Sequence, residues 1–208
     1  MLWALVGVMV FASLAAAHPG KLDKNGGHYD KETGEYHYHK GPNALESLEL
    51  RRNTVYKAKI ERVVDGDTAI VSFIFDDGSK YLKERVRFLG VDTPETVHPK
   101  KPVQYYGKEA SDFTKAQLTG RTVWLQTDVN AKDRYDRMLA YVWMSEPGKD
   151  ELDDEAAIRA KMFNAKLLLD GYAQLMTVQP NSRYANLFVH FQREAREAGK
   201  GLWGKEPE

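Results

Sequence analysis

TVYKAKIERVVDGDTAIVSFIFDDGSKYLKERVRFL, residues 54–89, decides the fold. Tyr56, Ala58 and Ile60 alternate with Lys57, Lys59 and Glu61, the period of a strand with one buried face. Residues 68–75, TAIVSFIF, are a nearly continuous apolar run and read as a second strand. Asp76-Asp77-Gly78 is a hairpin signal. Residues 80–89 read as a third strand, with Leu82, Val86 and Phe88 on one face and Arg85, Arg87 and Leu89 on the other.

Downstream, Tyr106, Ala110 and Phe113 recur at helical spacing and predict a helix over 104–118, ended by Gly120. Short strands are expected at 122–127 and 138–144. After the polar loop SEPGKDELDD, Ile158, Met162, Ala165 and Leu169 mark one helix over 154–170. A last helix is expected from about Tyr184 to Ala198, with Leu187 and Phe191 inward and Gly199 and Gly201 beyond it. Three antiparallel strands, a helix, two strands and further helices suit a mainly β fold with added α. The expectation is a five-stranded OB-type barrel with about three helices.

The composition agrees. The chain has 208 residues, 42% hydrophobic and 29% charged, which suits a folded body rather than a disordered one. The formal net charge is zero, which argues against a nucleic-acid coat protein but leaves room for a local basic groove. Without cysteine there is no disulfide framework, thiolate zinc site or cysteine nucleophile.

The first 17 residues, MLWALVGVMVFASLAAA, carry no charge and end in small residues, the pattern of a cleaved signal peptide, although no Lys or Arg precedes the apolar run. A secreted or periplasmic protein starting at His18 is expected, with no membrane attachment after cleavage. Residues 18–47 form a His-rich segment and linker, and 48–208 the globular domain. The segment holds four of the six histidines, His18, His28, His37 and His39, among Gly, Asn, Asp, Lys and Tyr. Gly26-Gly27 and Gly34 suit turns that bring His28 back toward His37 and His39. Converging imidazoles suit zinc or another transition metal; the alternative is a polar arm with incidental histidines.

Three acidic clusters sit in turns beside strands: Asp65-Gly66-Asp67-Thr68, Asp92-Thr93-Pro94-Glu95 and Asp133-Arg134-Tyr135-Asp136-Arg137. Each is an ordinary turn sequence when taken alone. Together with Arg87 and Arg137 they are the parts that phosphodiester cleavage needs. Carboxylates hold a hard cation, and guanidiniums grip phosphate oxygens.

VVDGDT, RFLGVDTPE (87–95), HPKKPVQYYGKEAS (98–111), DRYDRMLAYVW (133–143) and PNSRYANL (180–187) resemble, in order, the motifs of the staphylococcal nuclease-like, or thermonuclease, family. The resemblance spans roughly residues 54–203. It implies an OB barrel and calcium-dependent hydrolysis of DNA and RNA, leaving 3′-phosphate and 5′-hydroxyl ends. It implies calcium ligands at Asp67, Asp92 and the Thr93 carbonyl, with Asp65 just outside. Glu95 then matches the proposed general base, and Arg87 and Arg137 the phosphate-binding arginines. Lys100, Lys101, Tyr106 and Arg134 are the expected substrate contacts, with nucleic acid as the partner and no obligate protein partner.

The chain also departs from that pattern. Met176–Asn181 lacks the nucleotide-contacting tyrosines, Asp136 stands where glycine is usual, and the 145–155 loop is longer and acidic. Asp136 is expected to temper phosphate affinity or to pair with Arg134, and the loop to narrow access. The rival reading is a non-catalytic OB module that binds nucleic acid. A pure binder needs no such set as Asp67, Asp92, Glu95, Arg87 and Arg137.

Overall fold

The computed structural model describes residues 27–29, 36–38, 50–74, 80–96 and 104–204, the first two stretches and 80–83 as backbone only. The signal segment, His18, His39, Lys100, Lys101 and the 76–78 turn lie outside the described residues.

β1 (Gly27–Tyr29) and β2 (Tyr36–Tyr38) pair antiparallel as a separate two-stranded sheet, with His28 and His37 as register partners. β3 (Val55–Asp65), β4 (Thr68–Ile74) and β5 (Lys80–Phe88) follow as antiparallel neighbours. The three-residue β6 (Gly90–Asp92) comes next, then β7 (Thr122–Gln126) and β8 (Met138–Trp143). The barrel closes in the order β3-β4-β5-β8-β7, as expected, and the closing pair β5–β8 is parallel.

The inward alternation changes phase along β3. Ala58 and Ile60 are buried, then Val63 and Asp65. The register shift between Ile60 and Arg62 accounts for it, because a bulge adds a residue and turns the next side chain over. The phase changes once, between Ile60 and Val63, and ordinary alternation from Val63 then carries Asp65 inward at the turn before β4. Val86 and Phe88 face inward on β5, and Arg87 between them faces out, as the alternation predicts.

Four α-helices are described. The first, α1 (Gly107–Leu118), starts three residues later than expected because Tyr106 sits at φ +62°, a left-handed conformation that no helix contains. The single helix expected over 154–170 is two, α2 (Glu155–Lys161) and α3 (Phe163–Leu169). Met162 between them is extended at φ −90°, ψ 120°, and bridges to Trp143 at the end of β8. Its side chain is fully buried, so core contact overrides the helical periodicity that the sequence displays. β9 (Gln174–Met176) pairs with β6, and α4 (Ala185–Glu197) completes the body.

A ladder of rings links barrel to surface. Phe88 meets Phe163 edge-on at 6.1 Å, and Phe163 stacks on Phe113 at 5.9 Å. Phe113 stacks on Tyr172 at 4.0 Å, Tyr172 on Tyr106 at 5.6 Å, and Tyr106 meets Tyr105 at 5.9 Å.

Asn164, fully buried at the start of α3, clasps the barrel. Its Oδ1 accepts from the Val142 amide at 2.7 Å, and its Nδ2 donates to the Leu89 carbonyl at 2.8 Å. Asn164→Ala strands both backbone groups in an apolar setting, at about 1–3 kcal/mol each. Chemical denaturation should show a stability loss of about 2–4 kcal/mol.

Candidate active site

The turn between β3 and β4 presents Asp65 and Asp67. Gly66 between them is required by space, since a Cβ there would stand 2.6 Å from the Thr93 hydroxyl oxygen. The Gly66 carbonyl accepts from the buried Thr114 hydroxyl at 2.7 Å, which ties the turn to α1.

Asp67 is almost fully buried. Its Oδ2 accepts from the Thr93 amide at 2.9 Å and the Thr93 hydroxyl at 3.2 Å, and its Oδ1 accepts from Thr68 at 3.0 Å. Arg87, register partner of Thr68, reaches the same place. Its Nη2 lies 3.2 Å from Asp67 Oδ2 and 2.8 Å from Asp92 Oδ1, and its Nη1 donates to the Phe88 and Val91 carbonyls at 2.9 and 2.7 Å. Two carboxylates 25 residues apart in sequence thus meet on one guanidinium nitrogen. β6, held by β9, sets Asp92 opposite Gln174.

Asp65 accepts from Gly66 at 2.8 Å and from the Thr96 hydroxyl at 2.7 Å, and its side chain also meets that of Glu95. The Glu95 amide donates to Gln104 Oε1 at 2.8 Å, and Gln104 returns its amide to the Glu95 carbonyl at 3.1 Å. Burial pushes the Asp65 carboxyl up from its ordinary value. Burial also raises Asp92; Arg87 pulls it down, and Asp67, Glu95 and Asp65 push it up. Four carboxylates therefore feel one another here.

A cleft of about 430 Å³ opens from Arg87 toward Arg137, with Arg134, Tyr135, Met176 and Val178 along it. Asp133 holds Arg137 in place. Its Oδ2 accepts from Nε and Nη2 at 2.7 Å each, and its Oδ1 accepts from the amides of Tyr135 and Arg137. Asp136 sits at φ +61°, the backbone state that makes glycine usual there. It pairs with Lys132 at 2.8 Å rather than with Arg134, whose guanidinium lies on the Tyr135 ring. The expected pairing is replaced by that one. The 145–155 loop does not line this cleft. Within it Glu151 pairs with Lys161, Asp153 with Arg183, and Asp154 caps α2.

Tyr106 lines neither this cleft nor the second cavity beside Asp92, which Tyr105 lines instead. Among the described residues no three His, Asp or Glu form a ready-made metal cluster, and no helix is long and apolar enough to cross a membrane. The supporting residues Thr96 and Gln104 carry no sequence signal of their own, because their partners are distant or backbone atoms.

Residues 85–205 match the family described as staphylococcal nuclease homologue. The chain is 45% identical over 145 residues to a thermonuclease of Staphylococcus hyicus, covering 70% of this chain and 74% of that one. It is 40% identical over 163 residues to the thermonuclease of Staphylococcus intermedius, covering 78% and 83%. The chain belongs to the staphylococcal nuclease homologue family. Membership makes it a nuclease, a phosphodiester hydrolase. Another relative, the endonuclease YncB of Bacillus subtilis, is 32% identical over 148 residues, with 70% and 61% covered.

Asp133→Ala removes every side-chain bond from Asp133 to Arg137 and leaves the Asp133 amide to Arg137 carbonyl bond and the Tyr135 ring. Cleavage assays should show turnover falling at least tenfold, with thermal stability lowered by the lost turn bonds. Glu84, half-buried on β5, is raised by burial, partly opposed by Lys132. Its folded value lies above its unfolded one, so stability is lost as pH rises through the folded value. Glu84→Gln should therefore be more stable than the parent at neutral pH, and the gain should vanish below about pH 4 in pH-resolved melting curves.

Proposed function

We propose that the protein is an exported, calcium-dependent endonuclease acting on DNA and RNA with little sequence specificity. The observation that carries this reading is the meeting of Asp67 and Asp92 on one Arg87 nitrogen, with Glu95 beside Asp65 and Arg137 along the adjoining cleft. A cation already bridges the two carboxylates. Asp67, Asp92 and the Thr93 carbonyl offer oxygen alone, which fits a hard divalent ion.

Asp67, Asp92 and the Thr93 carbonyl would hold calcium, with Asp65 outside the contact shell. When bound, calcium lowers the charge that opposes approach of an anion to this acidic pocket. Arg87 turns from the carboxylates toward a phosphate oxygen, and Arg137 takes another. Both guanidiniums stabilise charge that develops on the phosphorus oxygens. Glu95 accepts a proton from water as the water oxygen bonds to phosphorus. The bond from phosphorus to O5′ breaks and O5′ takes up a proton, leaving a 3′-phosphate and a 5′-hydroxyl.

Purified full-length and mature chains should cleave single-stranded DNA and RNA and stop on addition of a calcium chelator. Glu95→Gln should lower turnover by about 10²–10⁴-fold with folding intact. Cleavage undiminished by that change, or by the chelator, overturns the assignment. Product end-group analysis checks the direction of bond breaking. N-terminal sequencing of exported protein should give His18 first.

A further inference from the structure

Two cavities flank the Asp92–Arg87 pair. The first is the arginine cleft described above. The second, about 460 Å³, has Asp92 and Thr93 in one part of its wall and Gln104, Tyr105, Gln174 and Trp203 elsewhere. None of its described lining residues is cationic. That lining is a poor seat for a phosphate and a good one for a flat, uncharged ring with hydrogen-bonding edges.

Tyr105 supplies a surface for such a ring. It is 40% exposed, one of the few large hydrophobic side chains left at the surface. It is also mounted firmly, as the outer end of the ring ladder that runs back through Tyr106, Tyr172 and Phe113 to Phe163 and the barrel. The left-handed backbone at Tyr106 is costly for a residue with a side chain. It turns the chain so that Tyr106 packs back on Tyr172 while Tyr105 stays outside. Beside it, the Gln104 carboxamide is fixed by its bond to the Glu95 amide, so the platform and the acidic loop are held as one piece.

We propose that Tyr105 is the stacking platform of a second nucleobase subsite, across Asp92 from the arginine cleft. It would be occupied by the nucleotide on the other side of the scissile phosphate. This rests on the nuclease reading above. It also gives the chain an aromatic contact in place of those absent from Met176, Thr177 and Val178.

The test uses the full chain carrying Glu95→Gln, so that bound strands stay intact, in calcium buffer. Affinity is measured by fluorescence anisotropy for a single-stranded DNA octamer in which one abasic residue is walked along the strand. Removing the base at the subsite should cost about 5- to 100-fold in affinity. Adding Tyr105→Ala should erase the loss at that one position and leave the others; Tyr105→Trp should preserve it. A positional profile unchanged by Tyr105→Ala, an equal weakening at every position, or no binding at all overturns the subsite. Cleavage of the same octamer by the chain with Glu95 intact is scored separately. A strand bound with the expected profile yet left uncut would sink the hydrolytic reading and keep the subsite.

Discussion

Arg87 holding Asp67 and Asp92 together is the contact on which the rest of the site depends. Four carboxylates crowd one end of the barrel, and burial raises two of them. Like charges at this spacing repel by several kcal/mol at the effective dielectric of a protein surface. The fold offsets that cost with one guanidinium, the amide and hydroxyl of Thr93, and the hydroxyls of Thr68 and Thr96. Such an arrangement is strained toward positive charge. On the proposed reading, a cation that satisfied the carboxylates would free Arg87 for an anionic substrate.

The barrel explains why the site is where it is. β3 and β4 bring Asp65 and Asp67 to a turn, and β5 places Arg87 beside Thr68. The chain then bends at Leu89 and Gly90 to run β6 along β9, which puts Asp92 back over the turn. Gly90 permits the bend, with φ +76° and the Phe188 ring where a Cβ would stand. The parallel β5–β8 pairing brings the Asp133–Arg137 loop to the same rim. Strand order and two positions with no side chain thus bring the groups together, and the Arg87 ion pairs hold them there.

Much of this was legible in the residues. Strand alternation over 54–89 foretold the barrel, and the facing of Arg87 followed from Val86 and Phe88. What was not legible has physical causes. Met162 reads as one more apolar position on a helix, and only the demand of the Trp143 end of β8 pulls it out of helical conformation. β6 and β9 are three residues each, too short to show a period. Tyr106 is expected as a substrate contact from its place beside Lys100 and Lys101 in the family motif; its backbone conformation turns it inward and leaves Tyr105 outside. Asp136 pairs with Lys132 because its turn faces that side chain, a fact that charge counting along the chain does not reveal.

Asn164 ties the far helix to the chain three residues before Asp92, through Leu89. Local fraying of that helix should therefore loosen the segment that carries Asp92. The placing of Asp92 thus leans on packing remote from the acidic pocket.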